Sequence, residues 1–174
     1  MNGEDYVRKA YERIFHHDFE GAIEAFEKAV TLEPMNASYH YKLSITYSRS
    51  GKLAKAREHA MKAIELDSQH DEYLLQIQLL QAKDNVHLAE RLVQSETPDL
   101  AEAARLLKQA IKLDPLSVEA YVLLAEVKYA QHDVRSAIHY AKEALKTDPA
   151  NELASALLLQ YELWINVNHD SNHH

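Results

Sequence analysis

The sequence predicts an all-α protein built as a short array of helical hairpins. Three observations carry this prediction. Only 3 glycines and 4 prolines occur in 174 residues, the abundant residues are Ala, Leu, Glu and Lys, and one segment recurs along the chain. Those residue types lose little rotamer freedom in a helical backbone. With 47% hydrophobic and 26% charged residues, the chain can bury a core and stay soluble, unlike a disordered segment.

The recurring segment runs from Ala22 to Pro34. Ala22 is matched by Ala56, Ala103 and Ala137, and Ala29 by Ala63, Ala110 and Ala144. Val30 falls in line with Ile64, Ile111 and Leu145; Glu33 with Asp67, Asp114 and Asp148; Pro34 with Ser68, Pro115 and Pro149. In every column the intervals are 34, 47 and 34 residues. Each segment reads as a helix stopped by its acid-proline pair, because proline cannot extend a helix and disfavours α geometry in the residue before it. Alanines seven apart share one face and allow a neighbouring backbone to approach closely.

A second helix precedes each of these. Tyr6, Val7, Ala10, Tyr11 and Ile14 recur at helical spacing, as do Tyr39, Leu43 and Tyr47, and later Tyr121, Leu124, Ala125 and Tyr129. Short polar turns at residues 17–19, 50–52 and 131–133 join the pairs. One hairpin cannot bury its own apolar face, so stacking of neighbours must supply the core.

These residues resemble the tetratricopeptide repeat (TPR), a 34-residue unit with small residues at its eighth, twentieth and twenty-seventh positions and a proline near its end. Ala10, Ala22, Ala29 and Pro34 fill those places first; Ser44, Ala56 and Ala63 do so next; Ala125, Ala137, Ala144 and Pro149 do so last. The resemblance implies a single domain over residues 1–167, a right-handed superhelical solenoid of about four helix-turn-helix units and a C-terminal capping helix. The units fall at about 3–36, 37–70, 71–117 and 118–151, with the end helix at 151–167 and a polar flexible tail at 168–174.

The third unit carries 13 extra residues. Leu75, Leu79, Ala82, Val86, Ala89 and Val93 alternate by fours and threes, which predicts one long first helix over about 71–95. Asp84-Asn85 is its weak point. Thr97 reads as the N-cap of the next helix, with Pro98 at its first position. In the end helix, apolar residues cover far more of the circumference than one packing stripe needs. Leu157, Leu158, Tyr161, Trp164 and Ile165 therefore read as a self-contact surface, with a homodimer, a partner or the long helix as its cover.

Several function classes are disfavoured. There is no cysteine, hence no disulfide, thiolate metal site or cysteine nucleophile. A net charge of −8 without a basic stripe argues against nucleic acid. No apolar run approaches membrane-spanning length and no secretion signal is evident at the start, so a cytoplasmic location without membrane insertion is expected. No phosphate-cradling glycine loop and no convergent catalytic set appears, so neither an enzyme nor a cofactor is expected. Protonation of all eleven histidines would turn −8 into +3, but the residues read as surface imidazoles rather than a pH sensor. His16-His17 and the tail residues His169, His173 and His174 could chelate a metal adventitiously; no metal site is assigned.

The TPR resemblance places a concave groove along the first helices, made to hold a protein or peptide. By position its apolar lining is Val7 and Tyr11, then Tyr41 and Ile45, then Leu75 and Leu79, then Val122 and Tyr129. Arg49, Glu72 and Glu126 stand among them. Chaperone-binding TPR domains clamp a C-terminal carboxylate with Lys, Asn and Arg. The matching positions here are Val7, Tyr11, Lys42, Glu72 and Gln76, and Glu72 would repel that ligand. An apolar groove flanked by glutamates instead suits an amphipathic segment with basic flanks. The expected role is a non-enzymatic adaptor, with a self-assembling homodimeric subunit as the alternative.

Overall fold

The computed structural model describes residues 1–170, and every regular element among them is an α-helix. The helices are α1 (Gly3–Phe15), α2 (Phe19–Leu32), α3 (Ala37–Arg49), α4 (Leu53–Leu66), α5 (Asp71–Gln94), α6 (Leu100–Leu113), α7 (Val118–Ala130), α8 (Val134–Thr147) and α9 (Glu152–Asp170). Most begin at a side chain able to accept a hydrogen bond. Asn2, Asp18, Asn36, Asp99, Ser117 and Asp133 each accept from the backbone N–H three residues on, satisfying one of the orphan donors of a helix start. Asp99 caps α6, so Thr97 and Pro98 remain in the preceding loop rather than opening the helix. The carboxylate of Asp99 reaches the N–H of Glu102 at 3.0 Å, and an ionised acceptor there also complements the helix dipole.

The turns inside the hairpins share one device. His17, Gly51 and His132 adopt φ of 58°, 72° and 64°, and are the left-handed residues among those described. The N–H of the following residue (Asp18, Lys52, Asp133) then donates back to the carbonyl of Arg13, Tyr47 or Lys128, at 2.9 Å in each case. This closes the first helix and turns the chain into the second. The second helices end at Glu33, Asp67, Asp114 and Asp148, whose N–H groups donate to the carbonyls of the repeat alanines Ala29, Ala63, Ala110 and Ala144.

The contacts group into two compact units, residues 1–80 and a second beginning at Gln81. In the first, Ala10, Ala22, Phe26, Leu43, Tyr47, Ala56, Ala60 and Leu80 form the core. In the second, Ala82, Val86 and Ala89 pack with Ala103, Leu107 and Ala110 of α6 and Leu124 of α7. The third unit's departure is thereby resolved. Helix α5 has 24 residues where α1, α3 and α7 have 13. The turn 95–99 has five residues where the other hairpin turns have three. Together these differences account for the insertion. No interruption occurs at Asp84-Asn85, because the buried Asn85 accepts a hydrogen bond from Gln81 at 3.0 Å instead of competing for the backbone. Helix α9 continues to Asp170, past the expected end at residue 167. The tail histidines His169, His173 and His174 lie outside the described side chains.

A left-handed backbone costs a residue with a Cβ about 1–2 kcal/mol, while glycine adopts it freely. Gly51 has nothing within 4 Å of a built Cβ, so its requirement is conformational and not steric. Gly51→Ala should therefore lower stability by about 1 kcal/mol, and His132→Gly should raise it by about 0.5–1 kcal/mol after the looser unfolded chain is counted. Shifts of the urea midpoint in opposite directions check both.

Candidate functional site

The small residues on which the repeat rests are closed off completely. Ala10, Ala22, Ala29, Ser44, Ala56, Ala63, Ala125, Ala137 and Ala144 are all 0% exposed, so at each one a neighbouring helix sits where a larger side chain would need room. In the third unit Ala103 and Ala110 do the same, and Ala89 takes the first place.

In the first unit, the helices α1, α3 and the start of α5 bring together several residues assigned to the groove. The Tyr11 ring stands edge-on to Phe26 at 5.7 Å, and the Tyr41 ring lies 4.9 Å from that of Tyr73. Burial raises the Tyr41 phenol above its usual range, and Glu72 and Tyr11 add to the effect, so Tyr11, Tyr41 and Glu72 share one neighbourhood. Val7, Ile45 and Leu79 are half-buried, while Tyr11, Arg49, Glu72 and Leu75 are exposed. Gln76 is buried and donates to Ser44 at 3.1 Å. Lys42 donates to Ser38 at 2.6 Å.

The second unit alters the sequence reading in two places. Val122 does not line a surface: it is 8% exposed and packs with Ala144 and Ala154. Of the residues read as self-contact, Leu157, Leu158, Tyr161 and Ile165 pack on the α7–α8 hairpin with Ala125, Val134, Ala137 and Ala141. Helix α9 therefore lies on α8 as a first helix lies on the unit before it, which accounts for these four residues but leaves Leu153, Leu159, Leu163, Trp164 and Val167 exposed. The Tyr129 and Tyr161 rings stack at 4.5 Å with 18° between planes. Burial, then the nearby Glu126 and Tyr129, push the Tyr161 phenol up to about 12.

A different α9 stripe is left exposed. Leu159, Leu163 and Val167 recur at intervals of four, and with Trp164, Ala156 and Tyr129 of α7 they line one apolar groove. Of these α9 residues, the surface expected from sequence includes only Trp164. The four-residue spacing was the signal that could have found this stripe. One turn before Tyr129 stands Glu126. It is exposed overall, yet partial burial raises its carboxyl above the usual range, and no cation stands within ion-pair distance among the described residues. By contrast, Glu162 of α9 is paired with Lys142 at 3.1 Å.

One group could hold a metal: ligand atoms of His87, Glu90 and Glu119 lie within 4.8 Å of one another. Exposed acids often converge in this way without an ion, and no metal is assigned. Among the described residues, no helix is long and apolar enough to cross a membrane.

Two tetratricopeptide-repeat family models match residues 96–161 and 37–70, and a TPR-repeat model matches residues 18–51, together more than half of the chain. The chain belongs to the tetratricopeptide-repeat family. Solved structures sharing the TPR fold include MamA 41-end from Desulfovibrio magneticus RS-1, which is 15% identical with a TM-score of 0.51 over 94% of this chain and 85% of that one. A chain of the APC/C hetero-tetramer Cut9–Hcn1 is 16% identical with a TM-score of 0.51, over 92% of this chain and 30% of that one. A further MamA structure is 23% identical with a TM-score of 0.49, over 92% and 81%. No curated protein matches the chain. At these identities the likeness is one of fold. TPR arrays are in general scaffolds for protein interaction, and in those general terms this TPR chain is one.

The raised Glu126 carboxyl means that the folded TPR unit holds this proton more tightly than the unfolded chain does. Ionisation therefore erodes stability as pH rises through the carboxylate range. Glu126→Gln should raise the urea midpoint at about pH 7, and the gain should vanish below about pH 4, where the carboxyl is protonated in both states.

Proposed function

We propose that this protein is an adaptor that captures an amphipathic helical segment of another protein on the first-type helices of its repeats. In the second unit, the segment would lie in the groove between α7 and α9. The observation that carries this reading is an exposed apolar stripe (Leu159, Leu163, Val167) that lines one groove with Tyr129, and Glu126, with its raised carboxyl, stands one turn before Tyr129. A helix presenting apolar residues at i, i+3, i+4 and i+7 matches the four-residue spacing of the stripe. A basic residue on its flank would meet Glu126, where partial desolvation strengthens the attraction. Tyr129 and Trp164 add rigid aromatic surface of the kind that dominates interface energies.

The test uses a labelled Leu-rich amphipathic peptide with lysine flanks and its counterpart with glutamate flanks, read by fluorescence anisotropy. The basic peptide should bind about tenfold tighter at low salt, and Leu163→Glu or Tyr129→Ala should weaken it by about tenfold or more. Equal binding of both peptides would remove the charge argument, and binding of neither would remove the groove.

The same stripe favours a second reading, in which another copy of α9 covers it. Light scattering behind size exclusion separates the two readings: a mass of about 40 kDa that Leu163→Glu returns to about 20 kDa supports self-assembly. Leu158 is half-buried against the hairpin, so a substitution there would report on folding rather than on assembly.

A further inference from the structure

An imidazole pair joins α3 to α4. His40, which is 6% exposed, stacks on the half-buried His59 with ring centroids 5.1 Å apart and planes 26° apart. Their Nδ1 atoms stand 2.9 Å from one another. Two nitrogen lone pairs would repel at that distance, so a hydrogen lies between them. The other side of His40 settles which ring supplies it. Its Nε2 lies 2.9 Å from the carbonyl oxygen of Pro34, which can only accept, so Nε2 carries a hydrogen and donates. A neutral His40 then has a lone pair at Nδ1, and His59 donates into it from its own Nδ1–H.

This arrangement accommodates one additional proton. Protonated His40 donates from Nδ1, and His59 accepts there after moving its hydrogen to Nε2. Two additional protons do not fit, since both Nδ1 atoms would then carry hydrogen and both rings positive charge at hydrogen-bond distance. We propose that His40 and His59 form a one-proton latch between α3 and α4, closed near neutral pH and opened in mildly acidic solution when the second proton binds.

The surroundings support the latch. Tyr47 of α3 stacks on His59 at 5.6 Å, and its hydroxyl donates to Glu27 of α2. Lys55 of α4 stands 5.4 Å over the Tyr47 ring. Burial lowers the pKa of His59, and His40 and Lys55 act in the same direction, while Glu58 and Glu27 oppose them. The unfolded chain takes up both protons where the closed latch takes one. Stability is therefore complete above the ordinary histidine range, about pH 6.5, and falls as pH drops below it. Helix α3 also carries Tyr41 and Ile45, so opening loosens the helix that presents them.

The test combines imidazole 15N NMR of the full chain between about pH 5 and 8 with urea unfolding of wild type and His59→Gln over the same range. A glutamine can donate to His40 or accept from it, and has no proton to gain. At neutral pH, His40 should be the Nε2–H tautomer and His59 the Nδ1–H tautomer, with the second protonation delayed below the first. Below about pH 6.5, the unfolding constant of the wild type should rise faster than that of His59→Gln, by up to about tenfold per pH unit for the one excess proton. An Nδ1–H tautomer at His40, simultaneous protonation of both rings with the α3–α4 contact intact, or parallel unfolding curves would overturn the latch. Should His59→Gln fail to fold, the wild-type tautomers and protonation steps decide alone.

Discussion

The structure depends on close approach of helices at residues too small to prevent it. A helix pair inside a repeat, and the helix that stacks on it, meet at alanine or serine positions with no exposed surface, while Phe26, Leu43, Leu107 and Leu124 fill the space between. Interiors of this density respond to single methylene groups, so an enlarged residue at Ala22 or Ala137 would push apart elements that have no other way to bury their apolar stripes. The left-handed turns at His17, Gly51 and His132 serve the same contact, because they set the angle at which the second helix folds back on the first.

Helix α5 shows how an irregular repeat is absorbed without breaking that rule. Leu80 belongs to the core of the first unit, and Ala82, Val86 and Ala89 to the core of the second. An unbroken backbone carries both because the inserted residues keep the helical spacing of apolar positions, and because the buried Asn85 is satisfied by Gln81. Ala89 then takes the place of the first small residue, and the longer turn before α6 takes up the change of spacing.

Two polar features stand out against this apolar framework. Glu126 lies close enough to Tyr161 to raise its phenol, and no cation among the described residues stands within ion-pair distance of it. His40 and His59 hydrogen-bond one another and the Pro34 carbonyl, with the Tyr47 ring stacked on His59, so their contact depends on which ring nitrogens carry hydrogen. Ion pairs such as Arg8–Asp5 and Lys62–Glu65 are exposed and contribute little individually.

The sequence by itself determined the helical class, the repeat and its small-residue positions, the stops at acid-proline pairs and the long helix α5. All of these are properties of spacing along one chain, and helical periodicity and proline geometry make them local. Only the tertiary structure decided that Val122 is core, that Leu157 and Tyr161 face α8 while Leu159 and Leu163 face outward, and that the buried His40 meets the half-buried His59. A helix wheel gives the angle between residues on one helix but not which arc a neighbour covers. A contact such as His40 to His59 joins two helices through a turn whose angle no local pattern encodes.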